Sequence, residues 1–172
     1  MALLNKTISF LNSIGIKTQK VYSARGFLNE VRIDKGEILY TDKASISNLL
    51  HEAGHLAVLP ENYRCKAEDD LSKIQNKMLD ENLDIEPDSE SMRILLQAGE
   101  TEATAWAYAA GVAIGLPEEV IIEDKDYDND GKNIRLCLSM RSYLGINGLR
   151  NGGMIFDVKE YPVMARWLQP AI

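Results

Sequence analysis

The sequence predicts an α+β fold in which a β-hairpin or small antiparallel sheet packs on two helices. Two long segments, residues 46–57 and 91–115, carry apolar residues at the spacing of an amphipathic helix. Short extended stretches with turn residues between them precede the first of these helices. With 172 residues the chain can bury one sizeable core, so we expect a single domain over residues 1–172.

The N-terminal elements are a helix and a hairpin. Apolar spacing predicts a helix from about Leu3 to Ser13, with Gly15 as its end signal. Residues 31–41 predict a hairpin around the three-residue loop Asp34-Lys35-Gly36, in which glycine supplies a positive φ. An edge of this hairpin is either plain scaffold or a place where an extended peptide adds as a strand.

The helix predicted over residues 46–57 begins after a capping serine, Ser45 or Ser47, and ends before Pro60. Gly54 lies between its apolar and polar faces, where the missing side chain lets another backbone approach. Its apolar side consists of Ile46, Leu49, Leu50, Ala53, Leu56 and Ala57.

The polar side of this helix carries His51-Glu52-Ala53-Gly54-His55, the HExxH zinc signature. His51 and His55 are the two histidines of the chain, and the i, i+4 spacing brings both imidazoles to one face. Glu52 points about 100° round the helix, too far to join them easily as a ligand. We predict His51 and His55 as ligands of Zn2+ and Glu52 as the general base. The less favoured interpretation is a surface helix with polar residues.

A third zinc ligand must be a carboxylate or a thiolate, because no further histidine exists. Glu102 lies within the apolar stripe of the helix predicted over residues 91–115, where a buried carboxylate is costly without a cation beside it. We therefore predict Glu102 as the third metal ligand. Glu100 lies on the opposite, polar face, where it is solvated or orients a ligand histidine. The less favoured candidates are Glu61, Asp69 and Asp70.

The remaining segments predict further helices and a glycine-rich loop. Residues 61–89 are polar, contain a helix over residues 69–80, and form a rim or flap over the site. A short helix opens the segment 117–130, and a longer helix covers residues 133–144. Glycines predict a loop over residues 145–153, and a last helix follows around residues 161–168.

The acidic segment Asp126–Gly131 places carboxylates at alternate positions, as in the opening of an EF-hand calcium loop. Because Cys137 occupies the position of the chelating glutamate, we favour an acidic, solvated loop that caps the following helix. Tyr143, Arg141 and Arg150 are either oxyanion donors or ordinary packing residues, and the sequence does not assign them to the site.

The two zinc-binding segments resemble those of a known group of enzymes. HExxH on one helix, followed by a glutamate on a later helix, resembles a gluzincin. The string ETEATAWA at residues 100–107 is similar to the ExEAxxFA stretch of the ImmA/IrrE-type metallopeptidases and the minigluzincins. The resemblance covers about residues 15–116 and implies a small zincin-like domain. In that family the second glutamate of the stretch is the third zinc ligand, which corresponds to Glu102; Trp106 replaces phenylalanine, and Thr104 stands where asparagine is frequent.

The sequence therefore predicts a zinc-dependent metallopeptidase that hydrolyses a peptide or protein substrate, with Glu52 as general base. The alternative is a catalytically silent zinc-binding protein of zincin fold that acts as a peptide- or protein-binding module. A third interpretation is a latent peptidase whose own C-terminal segment blocks the cleft.

Charge and composition argue against other classes. The formal net charge of −7 disfavours nucleic-acid binding, which needs a positive face. No apolar run reaches the roughly 18 residues that span a membrane. Cys65 and Cys137 do not suggest a disulfide framework, and the N-terminal segment lacks a signal-peptide pattern, so we expect a cytoplasmic protein.

Overall fold

The computed structural model describes residues 2–26 and 28–172 and shows the predicted α+β architecture. The helices in this part of the chain are α1 (Ala2–Ser13), α2 (Ile46–Val58), α3 (Glu61–Arg64), α4 (Leu71–Asp80), α5 (Glu90–Leu96), α6 (Glu100–Ala113), α7 (Glu118–Ile121), α8 (Gly131–Ser139) and α9 (Leu144–Asn151). The strands are β1 (Thr18–Lys20), β2 (Val31–Asp34) and β3 (Glu37–Tyr40). Two 3-10 helices cover Asp124–Tyr127 and Val158–Glu160.

The sheet has the order β1-β3-β2, which makes β3 its central strand. β2 and β3 pair antiparallel, with Asp34 opposite Glu37, so the predicted hairpin is confirmed. Its loop is one residue shorter than predicted, because only Lys35 and Gly36 turn, with φ of 50° and 77°. β1 pairs with β3 in parallel, so β1 and β2 form the two edges of the sheet.

Several predicted helices are confirmed with small shifts of their ends. α1 ends at Ser13, and Gly15 follows with φ of 98°, as its role as an end signal requires. α4 begins at Leu71, two residues later than predicted, and α7 is the short helix expected after Pro117. Within the described residues, no helix combines the length and apolar character needed to cross a membrane. Both cysteines, Cys65 and Cys137, are free thiols.

α2 and α6 pack directly against each other at the centre of the molecule. A Cβ added to Gly54 would lie 2.3 Å from the carbonyl oxygen of Ala103, so this approach requires glycine. The close contact predicted from the position of Gly54 is therefore confirmed. Leu49 and Leu50 of α2 and Trp106 of α6 are fully buried and form part of the core.

The helix predicted over residues 91–115 is broken in the structure into α5 and α6. Gln97 ends α5, and Gly99 begins α6 from an extended conformation. In a continuous helix, the Ala98 carbonyl would accept a hydrogen bond from the backbone amide four residues later. Here it accepts a hydrogen bond from Gln75 Nε2 of α4 at 2.6 Å. The prediction of one continuous helix was wrong because apolar periodicity runs on across a break that a neighbouring helix stabilises.

The predicted glycine-rich loop is also wrong, because residues 144–151 form α9. A Cβ on Gly145 would lie 1.8 Å from the carbonyl oxygen of Thr101, and one on Gly148 would lie 2.0 Å from Glu102 Oε1. The role of these glycines is therefore to let α9 approach the first helical turn of α6, and not to form a loop. The preceding helix, α8, ends at Ser139 instead of residue 144.

The C-terminal segment contains no helix over residues 161–168, contrary to the prediction. It instead runs along α6 and α2 in irregular conformation, anchored by specific hydrogen bonds. Tyr161 Oη donates to the Ala105 carbonyl at 2.8 Å, and Trp106 Nε1 donates to the Trp167 carbonyl at 2.9 Å. The backbone amide of Gln169 donates a hydrogen bond to the Ala57 carbonyl, near the end of α2, at 3.0 Å. Bonds to neighbouring elements therefore replace the internal bonds of a helix.

Candidate metal centre

α2 presents both histidines of the chain to one point. Ser45 caps this helix, since its Oγ accepts a hydrogen bond from the Asn48 amide at 3.0 Å. One helical turn separates His51 from His55, and their Nε2 atoms lie 3.1 Å apart. His55 is 4% exposed, and burial lowers the pKa of its imidazole, which favours the neutral form that binds metals.

Glu100, the first residue of α6, supplies the carboxylate that meets these histidines. Its Oε2 lies 3.2 Å from His51 Nε2 and 3.4 Å from His55 Nε2. Hydrogen bonds from the two imidazoles hold the pKa of the Glu100 carboxyl well below its usual range. Within the described chain, His51, His55 and Glu100 are the one group of side chains whose donor atoms converge in a manner suited to a metal ion.

The three donor atoms fit a tetrahedral ion. Ligands about 2.1 Å from zinc and separated by tetrahedral angles lie about 3.4 Å from one another. The three observed separations are 3.1, 3.2 and 3.4 Å, so the atoms form a nearly equilateral triangle of this size. Two imidazoles and one carboxylate are also a donor set that suits zinc. The side chains are thus already arranged as three of the four corners of a tetrahedral site.

Glu102, predicted as the third ligand, does not join this group. Its side chain is 7% exposed, with Oε1 turned toward Gly148 of α9 and Oε2 accepting a hydrogen bond from Thr101 Oγ1 at 3.1 Å. Because α6 begins at Glu100, Glu102 lies in the first turn, where the helix dipole favours a negative charge. In a continuous helix it would have lain far from any helix N-terminus. Glu102 is therefore buried as expected, but Glu100, predicted as solvated or orienting, is the carboxylate that contacts the histidines directly.

Glu52 lies beside the triad but outside it. Its side chain is 5% exposed, and burial raises the pKa of its carboxyl to about 7, an effect that His51 partly offsets. The negative charges of Asp69 and Glu100 raise that pKa further. Glu52 thus has the placement expected of a proton acceptor adjacent to the metal position.

Tyr127 is a site residue that the sequence analysis missed. Its Oη lies 3.3 Å from Nδ1 of His51, while Nε2 of the same imidazole faces Glu100. The phenol of Tyr127 therefore holds the ring in this orientation. Burial raises the pKa of Tyr127, which keeps its hydroxyl protonated. Asp126 Oδ2 accepts from Ser45 Oγ at 3.3 Å, which fixes this 3-10 helix to the start of α2. The sequence did not indicate this role, because the acidic pattern around Tyr127 was interpreted as a solvated loop that caps the following helix.

Two cavities meet at His51 and Glu100. The first, which we call the acidic cavity, has a volume of about 440 Å³ and is lined beyond those two residues by Asn48, Tyr127, Asp128, Asp130 and Tyr143 among others. The second, of about 480 Å³, is lined by Glu52, His55 and the start of α4, including Asp69 and Gln75. Of the segment 61–89 that was predicted as a rim or flap, residues 69–72 and 75 therefore form a wall of this cavity.

The C-terminal segment does not block this cleft. Among the described residues, none after Tyr143 lines either cavity. The tail instead contacts the end of α2, and Ile172 bonds to Asn62 through both its amide and its carbonyl. Tyr143 itself, which the sequence left unassigned, is part of the lining.

Comparisons with protein families, with curated proteins and with solved structures gave no match to this chain. The geometry of the site is therefore the basis for its functional interpretation.

Proposed function

We propose that the protein is a zinc-dependent metallopeptidase of zincin-like fold. His51, His55 and Glu100 are the ligands of the ion, and the substrate is a peptide or protein. One observation carries the proposal: the donor atoms of these three residues form a triangle of tetrahedral size, with the buried Glu52 carboxylate beside it.

Each residue has a distinct role in this proposal. Zinc held by His51, His55 and Glu100 would acidify a water molecule and polarise the carbonyl group of the substrate. Glu52 accepts a proton from the attacking water and returns it to the leaving amine. His51 is held in orientation through Nδ1 by Tyr127, which leaves Nε2 free for the ion. A nearby dication also favours the ionised form of Glu52 that this role requires.

The open side of the triad favours catalysis over a purely structural role. Structural zinc sites are closed by four protein ligands, whereas catalytic sites keep one position for water or substrate. In the part of the chain that the structure describes, the converging group contains three residues, and cavities adjoin it on both sides. A purely structural zinc site would not need this access.

The test measures bound zinc and peptide hydrolysis in the wild type and in Glu52→Gln. We expect one equivalent of zinc in both proteins, and a loss of about 10²- to 10⁴-fold in kcat in the variant. Glu61→Gln, at the first residue of α3, is the matched control and should retain activity. Unchanged turnover in Glu52→Gln contradicts the mechanism, while bound zinc without hydrolysis of any peptide in the wild type indicates the silent zinc-binding protein.

A further inference from the structure

We propose that the acidic cavity binds a lysine or arginine side chain of the substrate, next to the bond to be cleaved. This inference rests on the proposed function, because it names the substrate class of that same site. The cavity touches both His51 and Glu100, so a side chain inside it belongs to a residue close to the reacting carbonyl.

The charge of the cavity suits a cation. Asp126, Asp128 and Asp130 line it, and none of the described lining residues is a lysine or arginine. These three carboxylates do not converge on one point as metal ligands do, since the converging group is confined to His51, His55 and Glu100 among the described residues. Dispersed carboxylates suit the flexible, extended cation of a basic side chain better than they suit a compact metal ion.

The walls of the cavity suit the aliphatic stem of such a side chain. Tyr127, Tyr143 and Ile134 contribute rings and an alkyl group beside the aspartates. Lysine and arginine place their methylene groups along apolar surface while the charged end reaches polar groups, and aromatic faces also attract cations. The aromatic walls together with the three aspartates therefore favour the binding of basic side chains over acidic side chains and over purely apolar ones.

A separate observation, on Asn48, favours a ligand in this cavity. The side chain of Asn48 lines it and is 7% exposed, yet no described residue forms a hydrogen bond with its amide. The amide atoms stay accessible from the cavity, so they are free to bind a polar group supplied by a ligand. Asn48 lies one helical turn before His51, where it can bind the backbone of a substrate whose side chain fills the cavity.

The experiment uses the full-length Glu52→Gln protein loaded with zinc, so that binding is measured without turnover. Short peptides, capped at both ends, carry lysine, norleucine or glutamate at one position, which is moved along the peptide. Fluorescence anisotropy should show about tenfold tighter binding of lysine than of norleucine at one position, and weaker binding of glutamate. The lysine preference should shrink as salt is added, which tests the inference without any further variant.

A pair of double variants then assigns the preference to the cavity. Asp128→Asn with Asp130→Asn should reduce the lysine preference to about twofold, while norleucine binding stays unchanged. Asparagine tolerates the positive φ of 54° at position 128, so the loop should keep its shape. Asp80→Asn with Asp84→Asn removes equal charge from exposed positions outside both cavities and should leave the preference intact.

Two results with the peptides would overturn the inference: equal affinity for lysine and norleucine peptides, or no binding of any peptide at millimolar concentration. Two results with the variants would also overturn it: a lysine preference that survives the cavity substitutions, or calcium binding that these substitutions abolish. Parallel hydrolysis assays with the wild type separate this inference from the proposed function. Lysine-selective binding without hydrolysis supports a basic-side-chain site in the acidic cavity and contradicts the proposed peptidase activity. Hydrolysis without a preference for basic residues supports the peptidase activity and contradicts the basic-side-chain site.

Discussion

α2 and α6, the helix against which α9 packs, supply groups to the same cleft, but by different means. In α2 the two histidines converge because one turn of any helix brings positions i and i+4 together. In α6, Glu100 and Glu102 are only two residues apart, yet one contacts the histidines and the other packs under α9. The contrast shows that spacing within a helix is a local property, while the choice between two carboxylates depends on where the second helix begins.

The largest expected effect tests that choice directly. Glu100→Gln should weaken zinc binding on the order of several hundredfold, because it removes the charged member of a three-ligand site. Glu102→Gln is the matched variant and should retain zinc, since its carboxylate points away from the histidines. Competition with a chromophoric chelator measures both affinities, and a larger loss in Glu102→Gln would reverse the assignment.

The second effect concerns the contact between α9 and α6. Gly145→Ala should lower the free energy of unfolding by about 3 kcal/mol, because its Cβ would collide with the carbonyl oxygen of Thr101 in the first turn of α6. Asn147→Ala, on the exposed side of the same helix, should change stability by less than about 0.5 kcal/mol. Urea denaturation of both variants checks this, and equal stabilities would show that α9 does not constrain α6.

On the α2 side a single capping residue should have a smaller effect. Ser45→Ala removes the side chain that accepts from the Asn48 amide and donates to Asp126, so we expect a loss of about 1 kcal/mol. Ser45→Thr retains the hydroxyl and should recover most of that stability. Thermal unfolding of the metal-free proteins measures the difference; if alanine and threonine behave alike, the cap is not what starts α2.

The smallest effect is a pH dependence on the α6 side. Burial raises the pKa of Tyr161 well above its ordinary value, so the folded state favours the neutral phenol. Stability from this group is complete below the unfolded pKa of about 10 and is lost as the pH rises toward the folded pKa. Tyr161→Phe should therefore flatten the alkaline decline, although it also loses the bond to the Ala105 carbonyl.

Tyr22→Phe is the control for that measurement, because Tyr22 is fully exposed. Denaturant titrations at neutral and alkaline pH give the slope for each protein. An alkaline slope in Tyr161→Phe equal to that of the wild type would show that other groups cause the decline.

The sequence was most reliable where local geometry alone decides the structure. The hairpin of β2 and β3, the capped helix α2 and the close approach at Gly54 all follow from short-range patterns. It failed where a pattern has two structural meanings. Glycines at 145 and 148 suggested a loop but serve helix contact, and continuous periodicity hid the break at Gly99.

By itself the sequence determined the α+β class, the convergence of His51 and His55 and the position of Glu52 next to them, because these depend on helical periodicity and residue type. Tertiary structure decided the rest of the site. Gln75 holds the Ala98 carbonyl at the helix break, and α9 covers Glu102, so Glu100 is the carboxylate that meets the histidines. The 3-10 helix docked on Ser45 brings Tyr127 to His51. Such contacts join segments far apart in sequence, and no local pattern encodes them.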